Sequence, residues 1–203
     1  MSKGLYIALE GMDGVGKSTV MPYISDYLKS IGRDVVEVRE PGSTPLGERI
    51  RELLKSDCPM DATSELLLML TARHQLFKDV VRPALADGKV VLTDRCYISS
   101  YAYQCKGGMV NPFLADALHR DLCLRPYIDY VFILQKPFDE AIKAQSDADR
   151  FEYSLSYQGR VARFYEDEGR ELLDFRSYRK VFTIQVDKNV KKTAKSIISK
   201  LDI

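Results

Sequence analysis

The chain has 203 residues, enough for one sizeable hydrophobic core, and we expect a single domain over residues 1–203. Its 30 basic and 29 acidic side chains give a net charge of +1, which argues against nucleic acid or a membrane surface as a partner. The 4 cysteines form no CxxC pair, and no apolar run suits a signal peptide or the roughly 18 residues of a membrane span. These features predict a cytoplasmic protein, and any anion site must be local.

Short apolar, β-branched runs alternate with longer segments of helical spacing along the chain. Strands buried on both faces read as such runs, and their alternation with helices predicts an α/β fold with a parallel sheet. The apolar stripe from Val20 to Ile31 predicts the first helix. The predicted strands are residues 5–9, 34–38, 89–93, 130–135 and 181–186.

Two later segments give further predictions. The spacing over residues 64–85 predicts a second long helix that ends before Gly88 and that Pro83 kinks or closes early. Residues 140–160 are polar and rich in charge, so we expect an exposed, mobile segment there. The sequence shows no repeat or linker that indicates a second domain.

A phosphate-binding loop follows the first predicted strand. Residues 11–18, GMDGVGKS, match the pattern G-x-x-x-x-G-K-[ST]. Glycines let backbone N–H groups surround phosphate oxygens. In this motif Lys17 is expected to contact the β- and γ-phosphates, and the Ser18 hydroxyl is expected to bind Mg²⁺. We therefore expect ATP to contact the following residues: Gly11, Met12, Asp13, Gly14, Val15, Gly16, Lys17, Ser18 and Thr19.

The strand over residues 89–93 ends in Asp94 and Arg95, and this pair narrows the class. A carboxylate at a strand tip beside the loop can order Mg²⁺ through water, while the arginine can bind a second anion that a pure ATPase does not need. The chain has no guanine-reading NKxD, which argues against a GTPase switch. A kinase for a small molecule is the leading class.

Arginines indicate the chemistry of the acceptor. Guanidinium groups bind phosphate in a bidentate manner, and an acceptor phosphate is already mostly dianionic at pH 7. Such an acceptor needs charge neutralisation and alignment rather than a general base. The arginines that fall after strands or along the second long helix are Arg39, Arg49, Arg51, Arg73 and Arg95.

Four motifs in order, IALEGMDGVGKST, REPGSTPLGERIR, LTARHQL and DRCYISSYAYQ, resemble the thymidylate kinase family of P-loop nucleoside monophosphate kinases. The resemblance implies transfer of the ATP γ-phosphoryl group to dTMP, giving dTDP, with Mg²⁺. It also implies a five-stranded parallel sheet flanked by helices, a homodimer, and a short lid at about residues 140–155, where DRFE (149–152) matches the bacterial form.

The resemblance assigns roles near the phosphates. Asp13 falls where the family contacts the sugar 3′-hydroxyl and the transferring phosphate. Arg39 lies near the acceptor phosphate, Arg51 matches an acceptor-binding arginine better than Arg49, and Arg95 resembles the acceptor-phosphate clamp. With these, the predicted catalytic residues are Lys17, Asp13, Arg95 and Arg150, and the predicted metal-side residues are Ser18 and Asp94.

The resemblance also assigns the base and sugar contacts. Three residues resemble those that contact the polar edge of the pyrimidine, namely Arg73, Ser100 and Gln104. Tyr103 resembles the residue whose ring crowds C2′ and favours deoxyribose. Met69 stands where the family usually stacks a phenylalanine on the base. Cys96 replaces an aromatic residue, and the lid region offers mainly Arg150 and Lys143 as cations.

Three alternatives stay open at this point. The acceptor can be another, modified deoxynucleoside monophosphate. A deoxynucleoside kinase would instead phosphorylate thymidine itself. A nucleotide-binding regulator without turnover is disfavoured because Lys17, Ser18, Asp94 and Arg95 are all present.

Overall fold

The sheet has five parallel strands, as the resemblance implied. The computed structural model describes residues 3–122, 128–144, 154–168 and 178–203. The strand order across the sheet is β2-β3-β1-β4-β5, and every neighbouring pair is parallel. The strands are β1 (Leu5–Glu10), β2 (Val35–Arg39), β3 (Val90–Asp94), β4 (Ile128–Gln135) and β5 (Tyr178–Gln185).

Helices flank the sheet and complete the α/β fold. Three π-helical segments continue neighbouring helices, at Phe77–Val81, Tyr101–Gly107 and Phe164–Glu168. In the described residues no helix has the length and apolarity needed to cross a bilayer. The helices are α1 (Lys17–Ser30), α2 (Pro45–Lys55), α3 (Ala62–Leu76), α4 (Arg82–Ala86), α5 (Ile98–Ser100), α6 (Pro112–Asp121), α7 (Phe138–Lys143), α8 (Leu155–Arg163) and α9 (Val190–Ile198).

Pro83 does not close the second long helix early. Helical backbone runs through α3, the π-helical turn and α4 to Ala86, which confirms the predicted end before Gly88. The π-helical turn Phe77–Val81 lies just ahead of the proline, and Pro83 occupies the first turn of α4. A first-turn position tolerates proline because its N–H would lack an intrahelical partner in any case.

The prediction of an exposed segment over residues 140–160 holds only in part: among its described residues Glu140, Lys143 and Leu155 are exposed, whereas Ala141 and Gln158 are buried. Residues 138–143 form α7 and residues 155–163 form α8, in which Gln158, Val161 and Ala162 are buried. These three side chains form one short buried stripe among polar neighbours. Because the segment is polar on average, its composition did not reveal a helix that packs against the protein. Residues 145–153, including the central part of the predicted lid, lie outside the described residues.

The register of the sheet brings the predicted site residues together. Asp94, at the end of β3, is level with Leu9 of β1 on one side and with Arg39 of β2 on the other. Every residue of β1 is buried, so this central strand anchors the loop that follows it. Because carboxyl ends of parallel strands share one edge, the phosphate-binding loop, Asp94–Arg95 and Arg39 meet there.

Candidate active site

A cavity of about 930 Å³ opens at the carboxyl edge of the sheet. It extends from the phosphate-binding loop to α3, and most predicted site residues lie on its wall. Gly11, Met12, Arg73 and Ser100 do not line it, and Arg150 lies outside the described residues. The predicted residues that line it are Asp13, Gly14, Val15, Gly16, Lys17, Ser18, Thr19, Arg39, Arg51, Met69, Asp94, Arg95, Tyr103 and Gln104.

Two glycines of the phosphate-binding loop are required by their conformation and by close neighbours. Gly11 has φ +132°, and a Cβ there would lie 2.5 Å from the carbonyl oxygen of Leu134 in β4. Gly14 has φ +79°, and a Cβ there would collide with the backbone carbonyl of Ala141 in α7. The loop is therefore packed between β4 and α7, and its N–H groups precede the positive end of α1.

Lys17 is buried and points back over the loop. Its Nζ donates to the carbonyl oxygens of Gly11 and Met12, each at 3.0 Å. Burial lowers the pKa of Lys17, and the nearby Arg95 lowers it further, while Asp94 and Asp13 oppose the shift. The ammonium group is thus held at the loop, on the wall of the cavity. A phosphate chain bound by the loop would lie next to it.

Asp13, Arg95 and Tyr103 form one hydrogen-bonded cluster. Arg95 donates from Nη2 to Asp13 at 2.6 Å and to the Tyr103 hydroxyl at 2.9 Å, and that hydroxyl donates to Asp13 at 2.8 Å. Burial would raise the pKa of Asp13, but the charges of Arg95 and Lys17 and the Tyr103 hydrogen bond lower it well below its usual range. Asp13 is therefore a stable carboxylate, suited to accept a hydrogen bond and not to donate one.

The backbone of Arg95 is itself unusual. Its φ is +74°, a left-handed conformation that non-glycine residues rarely adopt. The side chain is fixed by further hydrogen bonds from Nη1 to the carbonyl of Gly11 (3.1 Å) and to Ser99 Oγ (2.9 Å). A residue held in a disfavoured backbone state by its surroundings is typical of a functional position.

Glu10 joins β1 to the segment after β3. The buried carboxylate accepts hydrogen bonds from the backbone N–H of Cys96 (2.8 Å), from Ser99 Oγ (2.8 Å) and from the Tyr165 hydroxyl (2.7 Å). Ser99 thereby links Glu10 to Arg95. Glu10 supports the loop that carries Arg95 rather than the phosphate-binding loop alone.

Two more arginines line the acceptor side of the cavity. Arg39 bonds Glu48 at 2.7 Å, and Arg51 donates to the carbonyl of Pro41 at 3.1 Å. Burial and the charge of Arg39 lower the pKa of Arg51, because positive groups crowd this wall. Arg49 is exposed and does not line the cavity, so of the two arginines in GERIR only Arg51 does.

The two predicted base-edge residues Arg73 and Ser100 lie in the interior and not on the cavity wall. Arg73 forms a salt bridge with buried Glu40 and donates to Ser100 Oγ (2.9 Å) and to the Cys96 carbonyl (3.2 Å). Its Nη1 also meets Nε2 of buried His119 at 2.9 Å. Glu40 lines the cavity, so the arginine reaches the wall through its partner.

The cavity continues past the predicted residues to the ends of β4 and β5. The residues there were not predicted from the sequence, although each lies at or after the end of a predicted strand, at the edge where ligands bind. They offer polar and apolar contacts around the far end of the cavity. They are Lys136, Glu140, Ala144, Val186, Asp187, Lys188, Val190 and Thr193.

The residues predicted to hold Mg²⁺ suit that ion. Ser18 is exposed on the cavity wall, and Asp94 lines the same cavity with one buried carboxylate oxygen, Oδ1, that has no hydrogen-bond partner in the described structure. Magnesium prefers oxygen ligands and is often held by one or two protein oxygens together with substrate phosphates. No group of three or more His, Cys, Asp or Glu side chains able to enclose a metal is found among the described residues.

The strand–loop–helix unit and the second cationic wall define a P-loop phosphotransferase with room for two substrates. A family model described as thymidylate kinase matches residues 9–197. The chain belongs to the thymidylate kinase family, a family of ATP-dependent phosphotransferases. This confirms the family resemblance.

Individual relatives agree with the family match. The chain is similar to the thymidylate kinase of Ectopseudomonas mendocina, with 57% identity over 60% of this chain and 62% of the relative. It is 42% identical to that of Pseudomonas syringae pv. syringae over 84% of this chain and 77% of the relative. The crystal structure of thymidylate kinase from Ehrlichia chaffeensis superposes with a TM-score of 0.77 at 27% identity, covering 97% of this chain and 98% of the other.

Proposed function

We propose that this member of the thymidylate kinase family transfers the γ-phosphoryl group of ATP to dTMP, giving dTDP. The main support is one continuous cavity. It runs from the phosphate-binding loop past several arginines to an end lined by Met69 and Gln104. A donor phosphate chain and an acceptor monophosphate can meet inside it without crossing bulk water. Alignment and charge neutralisation are the main contributions to phosphoryl transfer.

On the donor side, backbone N–H groups of the loop and the start of α1 bind the ATP phosphates, and Lys17 exchanges its carbonyl partners for β- and γ-phosphate oxygens. The nucleoside of ATP occupies the far end of the cavity, beside Lys136 and the turn that follows β5. Val190 and Thr193 of α9 contribute the wall there.

On the acceptor side, Arg39, Arg51 and Arg95 bind the dTMP phosphate. The acceptor oxygen is already ionised at neutral pH, so the site needs no group to remove a proton. Arg95 also donates hydrogen bonds to Asp13 and Tyr103, and this supports sugar contacts next to the phosphate contacts. Asp13 accepts from the sugar 3′-hydroxyl, while the ring of Tyr103 crowds C2′.

The base lies between Met69 and Gln104, with Arg73 and Ser100 behind the wall that Glu40 and Gln104 form. Met69 gives an apolar contact without a flat aromatic face. Arg73 reaches the base only if its bonds to Glu40 and Ser100 rearrange on binding. It otherwise acts by holding Glu40.

Ser18 and Asp94 are the residues that would hold the magnesium ion. When bound, Mg²⁺ neutralises charge on the β- and γ-phosphates and orders them for in-line attack. Arg150, outside the described residues, supplies a further cation from the lid that lies between α7 and α8 in the sequence.

We also infer that the chain forms a homodimer. Helices α3 and α6 each expose apolar side chains, namely Leu67 (48% exposed), Phe113 (82%) and Leu114 (41%). A second chain that covers these side chains would remove apolar surface from water. Light scattering on the eluted protein should give the mass of two chains, and the mass of one chain would refute the dimer.

The activity is tested by a coupled assay of ADP release across the natural monophosphates and thymidine. We expect rapid ADP release with dTMP and little with thymidine. Preference for thymidine would identify a deoxynucleoside kinase. Preference for a different deoxynucleoside monophosphate would support the second candidate, which the replacement of a stacking phenylalanine by Met69 favours.

A further inference from the structure

We propose that Glu65 is a positioning residue that makes the enzyme specific for bases with an N3–H group. It fixes the side-chain amide of Gln104 so that the amide oxygen, Oε1, is the atom offered to the base. The inference rests on the proposed function, because it concerns the base of the same acceptor. Neither the motifs nor the family resemblance assigned a role to Glu65.

The two side chains meet in a buried contact. Glu65 lies in the first turn of α3 and is 8% exposed, and Gln104 lies in the π-helical segment Tyr101–Gly107 and is 1% exposed. Gln104 Nε2 donates to Glu65 Oε1 at 2.6 Å. The backbones are also close, since a Cβ on Gly108 would lie 2.7 Å from the Cβ of Ala62.

Chemistry fixes the direction of this amide. A carboxylate only accepts hydrogen bonds, whereas an amide side chain has one donating and one accepting end. Turning the Gln104 amide over would set its oxygen against the Glu65 oxygen in a buried place, where an unpaired and repelled polar group is strongly unfavourable. The first turn of α3 favours a negative charge, which helps to keep Glu65 in its accepting form.

The fixed direction leaves one defined acceptor beside the cavity. Gln104 lines the cavity together with Met69, and its Oε1 is buried and without a hydrogen-bond partner among the described residues. A buried acceptor without a partner stabilises any ligand that brings a donor to it. The site therefore favours a base that presents a hydrogen-bond donor to Gln104 Oε1.

Pyrimidine bases differ in whether N3, the ring atom proposed to face Gln104, carries a hydrogen. Thymine and uracil carry N3–H, a donor, while cytosine has an unprotonated N3, an acceptor. An acceptor facing Oε1 leaves both groups unpaired, and sites built around a specific hydrogen bond reject such analogues strongly. Glu65 thus lets dTMP and dUMP bind and excludes dCMP, without itself touching the base.

The test measures kcat/KM and binding affinity for dTMP and dCMP in the wild type and in Glu65→Gln and Glu65→Asp. Glutamine at position 65 can donate as well as accept, so the Gln104 amide is free to turn over. Aspartate keeps the charge but is one methylene too short to reach Nε2. Glu52→Gln makes the same carboxylate-to-amide change on the exposed face of α2 and serves as the matched control.

We expect both position 65 variants to lower the dTMP to dCMP ratio of kcat/KM by about ten-fold or more, chiefly through KM, in protein that remains folded at the assay temperature. Glu52→Gln should keep the wild-type ratio. An unchanged ratio, or an equal fall for both acceptors, overturns the proposal. A wild type that does not phosphorylate dTMP would instead refute the proposed function.

A wild-type measurement keeps the proposal testable if both variants fail to fold. N3-methyl-dTMP lacks the donor and should bind at least about ten-fold more weakly than dTMP. Equal binding of the two would show that Gln104 does not accept from N3, and the role of Glu65 would fall with it.

Discussion

We expect turnover to depend most directly on Lys17. Its ammonium group lies at the loop carbonyls, and in the proposed reaction it faces the charge that develops on the transferring phosphate. Removing one preorganised charge of this kind lowers turnover by about 100-fold or more. We therefore expect Lys17→Ala to lose at least that factor in kcat while the melting temperature stays near that of the wild type.

The matched control for Lys17 is Lys78→Ala, which removes an exposed lysine from the π-helical turn after α3. It should keep full activity. Normal turnover of a folded Lys17→Ala protein would contradict the assignment of the phosphate-binding loop.

In the proposed binding mode, Met69 limits the space beside the 5-position of the base. The side chain is 6% exposed and packs with Ile50 and Leu54, so a larger, rigid ring there narrows the cavity. We expect Met69→Phe to increase the preference for dTMP over deoxyuridylates with larger 5-substituents, as steady-state kinetics with each acceptor would reveal. Met109→Phe, at a residue that is 77% exposed, is the control. A ranking that Met69→Phe leaves unchanged would mean that the base binds elsewhere.

At the scale of elements, the phosphate-binding loop depends on its fit against α7. Gly14→Ala adds a Cβ that collides with the Ala141 carbonyl and also demands φ +79° of a residue with a side chain. We expect a loss of at least about 1 kcal/mol in the free energy of unfolding, measured with urea, together with weaker ATP binding.

Gly159→Ala is the paired control, because a Cβ in the middle of α8 meets nothing within 4 Å. Alanine has the higher helix propensity, so this change should stabilise the protein by about 0.5–1 kcal/mol. Similar losses from the two substitutions would refute the packing argument for Gly14.

Helix α8 holds the segment that carries Tyr103 and Gln104. Arg160 donates two hydrogen bonds to the Gly107 carbonyl, at 3.2 and 2.7 Å, and the Tyr157 hydroxyl donates to the Tyr103 carbonyl at 3.0 Å. We expect Arg160→Ala to reduce stability by about 1 kcal/mol or more and to raise the KM for dTMP more than that for ATP. Exposed Arg163 of the same helix supplies the control, Arg163→Ala. An equal rise in both KM values would argue against a specific link from α8 to the acceptor site.

Local patterns predicted the elements well, and they failed where packing decided the outcome. The five strand predictions fall within three residues of the observed bounds at each end, because strands buried on both faces leave continuous apolar runs. The π-helical turns cannot be recognised in this way, because one widened turn hardly changes the spacing of the apolar residues along the sequence. Helix α8 was missed because its three buried residues are spread among charged neighbours.

At the scale of the whole molecule, the sequence predicted which phosphate-side residues line the cavity, but it predicted the placement of the base-side residues only in part. Lys17, Asp94 and Arg95 sit next to predicted strands, so topology alone brings them to one edge. The pairs Arg73–Glu40 and Gln104–Glu65 join residues more than 30 positions apart, and no spacing rule reveals them. Arg73 was consequently expected on the pocket wall, whereas the structure buries it behind Glu40.

In the proposed reaction, one cavity brings the ATP γ-phosphoryl group to the phosphate of dTMP. Radioactive label at the γ-position of ATP, followed in the presence of Mg²⁺, dTMP and thymidine, shows which molecule receives that group. We expect the label to appear in dTDP, with little inorganic phosphate and little labelled dTMP. Label recovered mainly in inorganic phosphate, or in dTMP made from thymidine, would contradict it.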